Sequence, residues 1–150
     1  MKLDNFYRDE PFSTYEAAEI LGMERHKAQV VGWTRRHLKP FEIDEANSKK
    51  KMMRLDLVNV FELYLIKILK QHHLKPGLIN DIVNKDQVQE ILLSTEREYL
   101  TILGGLLPTI GTAQSLLFLL EHSGCIGSVL LINFQEIKGK IFEGIKKVRK

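Results

Sequence analysis

The sequence predicts an α+β protein, in which a mainly helical N-terminal part is followed by a small unit of three short strands and a terminal helix. Up to residue 93, apolar residues recur mostly at the three- and four-residue spacing of amphipathic helices. Beyond that point, short apolar runs are separated by glycines and a proline, which is typical of buried strands joined by turns. We therefore expect a lead-in over residues 1–11, a domain over 12–93 and a separate unit over 94–150.

The first predicted helix covers residues 15–21. Either Ser13 or Thr14 can cap it, and Glu16 follows Ser13 at the three-residue spacing of a capping box. Gly22 then ends the helix, because glycine adopts the left-handed backbone conformation found after many helix C-termini. The spacing of caps and breakers thus predicts a short helix followed by a tight turn.

A second helix is predicted from about residue 24 to residue 36. Pro40 limits its length, because proline disfavours helix in the residue before it. Ala28 and Val31 are expected on its buried face, with Val30 as a further candidate. Three small residues would let the two helices approach closely: Ala17, Ala18 and Ala28.

The next segment predicts a small β-hairpin with a basic tip. Its strands are predicted at residues 41–44 and 49–54, and residues 46–48 are typical of a turn. The hairpin belongs to a basic stretch, because residues 24–54 hold nine basic and four acidic side chains, whereas residues 1–23 hold two and five. This asymmetry indicates contact with phosphate groups, and a solvated charged loop is the alternative.

The remaining elements follow from caps and apolar runs. Asp56 can cap a strongly apolar helix over residues 57–71, and a further helix, continuous or broken near residue 85, spans about 78–93. Three short apolar runs predict strands: residues 99–103, 115–120 and 128–132. Asn133, with Glu136 three residues later, predicts the cap of a last helix, whose apolar stripe is Phe134, Ile137, Ile141, Ile145 and Val148.

Helix, glycine turn, helix, basic hairpin and long apolar helix, in that order, predict a winged helix-turn-helix that binds double-stranded DNA. The residues also resemble the MerR-type DNA-binding domains. The resemblance begins with FSTYEAAEILGM at residues 12–23 and continues with Trp33 and a Leu-x-Pro exit at residues 38–40. It ends with the acid-capped helix that begins with RLDLVNV at residues 54–60, and it covers roughly residues 12–84. It implies a dimeric transcriptional regulator, with the second helix in the major groove and the wing on the flanking backbone.

The candidate DNA contacts lie in three places. At the start of the first helix they are Thr14 and Tyr15. In and around the second helix, Arg25, His26, Lys27 and Gln29 would lie near base edges, and Arg35 and Arg36 would reach phosphates. In the wing, the resemblance implies Lys49, Lys50, Lys51 and Arg54. Trp33 either stacks on the nucleic acid or anchors the core beneath the wing.

The chain also departs from the MerR pattern. A lysine run and Met53 stand where the family has a glycine and an Arg-x-Tyr motif, and Gly32 weakens the second helix by roughly 1 kcal/mol relative to alanine. The family's metal-binding cysteines and its long dimerisation helix are missing. Residues 94–150 are therefore expected to dimerise, or to receive an effector, in another way.

Other function classes find little support in the sequence. It contains no nucleophile elbow, P-loop, His-Glu-x-x-His motif or dinucleotide-binding glycine pattern, so we predict no enzyme, no cofactor and no metal site. Cys125 is the one cysteine, which fits a reducing cytoplasm, and no segment has the pattern of a signal peptide or a membrane span. An architectural or recombination-associated DNA binder, or a protein-interaction module that has lost DNA binding, remain the alternatives to a regulator.

Overall fold

A computed structural model describes residues 11–38, 41–43, 52–83, 85–94, 98–103, 108–122 and 129–150. The described helices are α1 Thr14–Ile20, α2 Lys27–His37, α3 Leu57–Gln71, α4 Pro76–Ile82, α5 Lys85–Leu93, α6 Ala113–His122 and α7 Phe134–Val148. The described strands are β1 Phe12–Ser13, β2 Phe41–Ile43, β3 Met52–Leu55, β4 Glu98–Leu103, β5 Pro108–Thr112 and β6 Val129–Asn133. They form two antiparallel three-stranded sheets, which confirms the predicted α+β class.

Ser13, and not Thr14, caps α1. The Ser13 Oγ accepts a hydrogen bond from the Glu16 backbone N–H at 3.1 Å, and the Glu16 carboxylate accepts one from the Ser13 N–H at 2.7 Å. This reciprocal pair is the predicted capping box. Gly22 follows at a φ of +68°, in the left-handed region, so the predicted glycine turn is confirmed as well.

The second helix begins later than predicted, and it buries a different face. Glu24–His26 form a separate 3₁₀ turn, and α2 starts at Lys27. The prediction that Ala28 lies on the buried face is wrong, because Ala28 is exposed, and Val31 is only half-buried. The core instead receives Val30, Trp33 and Thr34, whose three- and four-residue spacing defines one face of the helix and turns Ala28 away from it.

A three-stranded sheet packs against α1 and α3, with β3 as its centre. Arg54 of β3 is paired with Ser13 of β1 on one side and with Phe41 of β2 on the other. The hairpin strands β2 and β3 were predicted, whereas β1 was not, because two residues carry no readable alternation. The predicted turn at residues 46–48 lies outside the described residues.

Helix α3 forms the centre of the core. The Asp56 carboxylate accepts a hydrogen bond from the Asn59 N–H at 2.8 Å, and the Asn59 side-chain oxygen accepts one from the Asp56 N–H at 3.1 Å, so the predicted cap is confirmed. Every residue from Leu57 to Ile66 is buried. The helix predicted over about residues 78–93, either continuous or broken near residue 85, is broken: α4 ends at Ile82 and α5 begins at Lys85.

The second sheet, in the order β5-β4-β6, corrects part of the C-terminal prediction. The strands expected at residues 99–103 and 128–132 correspond to β4 and β6. Residues 115–120, in contrast, belong to helix α6, and β5 over Pro108–Thr112 was missed. A short uninterrupted apolar run has no period that separates strand from helix. At the start of α6, the Ser115 hydroxyl donates a hydrogen bond to the Thr112 carbonyl at 2.9 Å.

Helix α7 packs against α1, α3 and β4. Its predicted stripe is confirmed, with Val148 half-buried and the other four members buried. Asn133 caps the helix by accepting a hydrogen bond from the Gln135 N–H at 3.0 Å, whereas Glu136 forms an ion pair with Lys140 at 3.0 Å and does not complete a box. No helix in the described part of the chain is long and apolar enough to cross a bilayer.

Candidate nucleic-acid interface

The exposed side of α2 is basic. Lys27 stands at its first position, and Arg35 and Arg36 in its last turn, and all three side chains are exposed. No acidic residue occurs in the helix. On the opposite side, Val30 and Trp33 fix the helix to the core, so the three cations are carried on a rod whose orientation is set by packing.

The C-terminal end of α2 is held by a polar contact. His37 Nδ1 is hydrogen-bonded to the side-chain oxygen of Asn80 in α4. Inside the helix, the Thr34 hydroxyl donates to the Val30 carbonyl at 2.9 Å, so that this buried hydroxyl is satisfied. The contact between His37 and Asn80, together with the buried face, restricts rotation of α2 about its own axis.

The starts of α1 and α2 meet through Tyr15 and Lys27. The Lys27 ammonium lies 4.8 Å from the centroid of the Tyr15 ring, which is a cation–π geometry. Tyr15 is 62% exposed, so the pair lies on the surface. Thr14, one residue earlier, is half-buried. The structure therefore brings one sequence-predicted residue of the first helix next to one of the second.

Arg25, His26 and Gln29 are also exposed, but two of them face another way. His26 and Gln29 line a cleft of about 470 Å³ between the turn after α1 and helix α3, together with Lys67 and Lys70. Lys27 instead faces Tyr15. The residues predicted around the start of α2 are thus accessible, and they are distributed over two sides of the helix.

The burial of Trp33 decides between its two predicted roles, stacking on the nucleic acid or anchoring the core. Its side chain is only 5% exposed and belongs to the hydrophobic core. A ring buried to this extent cannot stack on a base or a sugar without leaving the core. The interpretation of Trp33 as a core anchor is therefore confirmed.

Arg54 occupies the centre of the first sheet and is half-buried. Its Nε atom is buried and makes no hydrogen bond within the described part of the chain. On the same sheet, the Arg149 guanidinium carbon lies 4.1 Å from the centroid of the fully buried Phe12 ring. The other wing candidates, Lys49, Lys50 and Lys51, lie outside the described residues.

Lys67 of α3 was not singled out by the sequence, yet it positions the turn between the first two helices. Its ammonium donates a hydrogen bond to the Leu21 carbonyl at 2.6 Å, across forty-six residues of chain. Burial lowers the pKa of Lys67, and repulsion from Lys140 lowers it further, while Glu24 acts in the opposite direction. No local pattern could have predicted this contact, because it depends on how α3 packs against α1.

Comparison with known proteins does not provide a family. A scan against protein-family models finds no match to this chain, and a search of the curated proteins finds no match either. Among the described residues, no group of three or more His, Cys, Asp or Glu side chains could hold a metal ion. Function is therefore inferred from the residues and their arrangement alone.

Proposed function

We propose that residues 12–93 form a MerR-like winged helix-turn-helix that binds double-stranded DNA sequence-specifically, and that the chain acts as a dimeric transcriptional regulator. One observation carries the proposal: α2 exposes Lys27, Arg35 and Arg36 without any acidic neighbour in the helix, while its other face is fixed in the core. An α-helix with its side chains is about 10–12 Å across, and the major groove is about 12 Å wide. A basic helix of this kind, preceded by a braced helix and a tight turn, suits insertion into that groove.

Each exposed residue has a proposed role. Arg25 and Lys27, at the beginning of the helical segment, would reach base edges, and Tyr15 would orient Lys27 or contact the neighbouring phosphate. His26 and Gln29 would contact bases or backbone from the side of the cleft. Arg35 and Arg36, two turns further on, would contact phosphates, because guanidinium groups pair well with phosphate oxygens.

The sheet β1-β3-β2 would serve as the wing. Its central strand follows directly on residues 49–51, so the three lysines would stand at its tip and grip the flanking backbone. Arg54 would support the wing from within, since it lies between Ser13 and Phe41 in the sheet. Thr14 would contact the backbone from the start of α1.

A salt series with fluorescein-labelled random duplexes tests the proposal. Each phosphate contact contributes roughly 0.9 to the slope of log affinity against log salt. We expect the variant in which Lys49, Lys50 and Lys51 are all changed to alanine to bind every duplex more weakly and with a flatter slope. Arg25→Ala or Lys27→Ala should weaken binding to a selected duplex by about 1–3 kcal/mol if the residue contacts a base edge. Lys75→Ala, at an exposed lysine after α3, is the matched control.

The outcomes separate the alternatives. A wild-type slope near zero would reject DNA binding and favour a protein-interaction module. Strong binding without sequence preference, accompanied by bending of the duplex in a permuted-fragment assay, would favour an architectural factor. A defined site with position-dependent losses for Arg25→Ala or Lys27→Ala supports the regulator.

A further inference from the structure

Helix α6 is apolar, yet it buries none of its side chains. Five consecutive apolar residues occupy positions 116–120. Leu116 and Leu119 are half-buried, whereas Leu117, Phe118 and Leu120 are exposed. A helix of this length is marginal in water by itself, because most helical stability in proteins comes from packing of an apolar face.

Strand β6 adds a second exposed apolar segment to the same unit. Val129 and Leu131 alternate with Leu130 and the buried Ile132, so they lie on the face of the sheet opposite the core. Helix α6 packs against β4 and β5 of this sheet. We define the α6–β6 surface by five residues that are between 42% and 65% exposed: Leu117, Phe118, Leu120, Val129 and Leu131.

We propose that the α6–β6 surface is the contact with a second copy of this chain. Its area fits that partner. Aromatic side chains bury roughly 150–250 Å², and leucine and valine lie near the lower end of that range, so five such side chains that are about half exposed present on the order of 400–500 Å². A twofold contact counts this area twice, which gives about 800–1,000 Å² of apolar surface. That is the apolar core of an interface of standard size, about 1,200–2,000 Å² in total.

Charge also favours an identical partner. The five residues of the surface are uncharged, and α6 carries its ionisable side chains only at its end, at Glu121 and His122. In a twofold contact the same patch lies on both sides, so a patch of one charge would repel its own copy, whereas a neutral apolar one does not. The need for two copies rests on the proposed DNA binding, because one recognition helix contacts too few base pairs for a specific site. The exposed surface itself does not rest on it.

Sedimentation equilibrium of the full chain from about 1 to 100 µM, without DNA, tests the proposal. We expect the wild type to be a dimer. In the double variant Leu117→Gln, Phe118→Gln, the dissociation constant of the dimer should rise about 100-fold or more, because large side chains at the centre of an interface dominate its binding energy. Leu131→Thr on β6 should also weaken the dimer. Tyr15→Ser is the control, because Tyr15 is equally exposed but lies outside the surface, and it should leave the mass unchanged.

Far-UV circular dichroism checks that the variants keep their helices, as substitutions at exposed positions should allow. A monomeric wild type at 100 µM would overturn the proposal, and so would a double variant and Leu131→Thr that both stay dimeric. If the wild type binds phosphatidylcholine vesicles and the double variant does not, the surface is a membrane contact, and the dimer proposal is rejected. A dimer that fails to bind duplexes would reject the proposed function alone, whereas a monomer that binds them with a salt-dependent affinity would reject only the dimer surface.

Discussion

Gly144 of α7 lies directly against Ile20 of α1, and a Cβ atom at Gly144 would come to 3.0 Å from the Ile20 Cα, Cγ2 and carbonyl oxygen. The terminal helix is thus packed on the backbone of the first one. Farther along, Arg149 lies over the Phe12 ring at 4.1 Å. Because α7 follows β6 without a break, the C-terminal sheet is connected by one rigid helix to the element that precedes the candidate DNA-reading helix.

Gly144→Ala is expected to destabilise the protein by about 1–3 kcal/mol, as over-packing does in well-packed cores. The contact atoms include backbone, which cannot move aside easily. Gly139→Ala, in the same helix, is the control: nothing lies within 4 Å of its Cβ position, so it should stabilise by roughly 0.5–1 kcal/mol through helix propensity. Urea unfolding measures both. Equal effects of the two substitutions would contradict the close approach of α7 and α1.

Ser13→Ala should cost about 0.5–2 kcal/mol, because the Glu16 N–H loses its side-chain acceptor at the start of α1. Thr14→Ala should cost clearly less, since Thr14 is not the residue that caps the helix. The free energies of unfolding of the two variants give the comparison. A larger loss for Thr14→Ala would mean that the cap lies one residue later than the structure places it.

Local signals in the sequence were sufficient for most of the helices. The capping box at Ser13 and the cap at Asp56 are each predicted from at most four residues, and the stripe of α7 from fifteen, so none of the three needs tertiary information. Ala28 lies beyond the reach of such local signals. Its neighbours Val30 and Trp33 compete for the same core, and only packing decides which face of the helix turns inward.

The exposed charged residues of the candidate site could be predicted from the sequence, whereas the contacts that hold its helices and strands in place could not. Arg25 and Lys27 stand out because they follow a helix–turn signal in a basic stretch. Lys67, whose ammonium holds the Leu21 carbonyl, and Arg149, which lies over Phe12, are distant in sequence from their partners. Such contacts depend on how helices are arranged in space, and one sequence carries no direct signal for them.

The free energy of unfolding should depend on pH through Lys67. Burial lowers the pKa of this side chain in the folded state below its usual 10.5. Between the folded and the unfolded pKa, the unfolded chain binds more protons, so stability rises with pH across that window. Below it, Lys67 is charged in both states and the contribution is constant. The difference between wild type and Lys67→Met, measured from pH 7 to 10.5, should shift in favour of wild type as pH rises. A difference that stays constant throughout would contradict the lowered pKa.

Gly32→Ala should separate stability from DNA binding. A Cβ at Gly32 would lie 3.6 Å from the Arg36 Nη2, an ordinary contact, so alanine should stabilise α2 by roughly 0.5–1 kcal/mol. In the helical projection, Gly32 lies on the side of α2 away from Val30 and Trp33, near the exposed Ala28 and Arg35. If this side enters the groove, the added methyl group obstructs the approach, and affinity for a selected duplex should fall although the protein is more stable. Urea unfolding and fluorescence anisotropy measure the two effects on one variant, with Gly139→Ala as the control for helix stabilisation far from α2. Higher stability with unchanged affinity would place the DNA contact on another side of the helix.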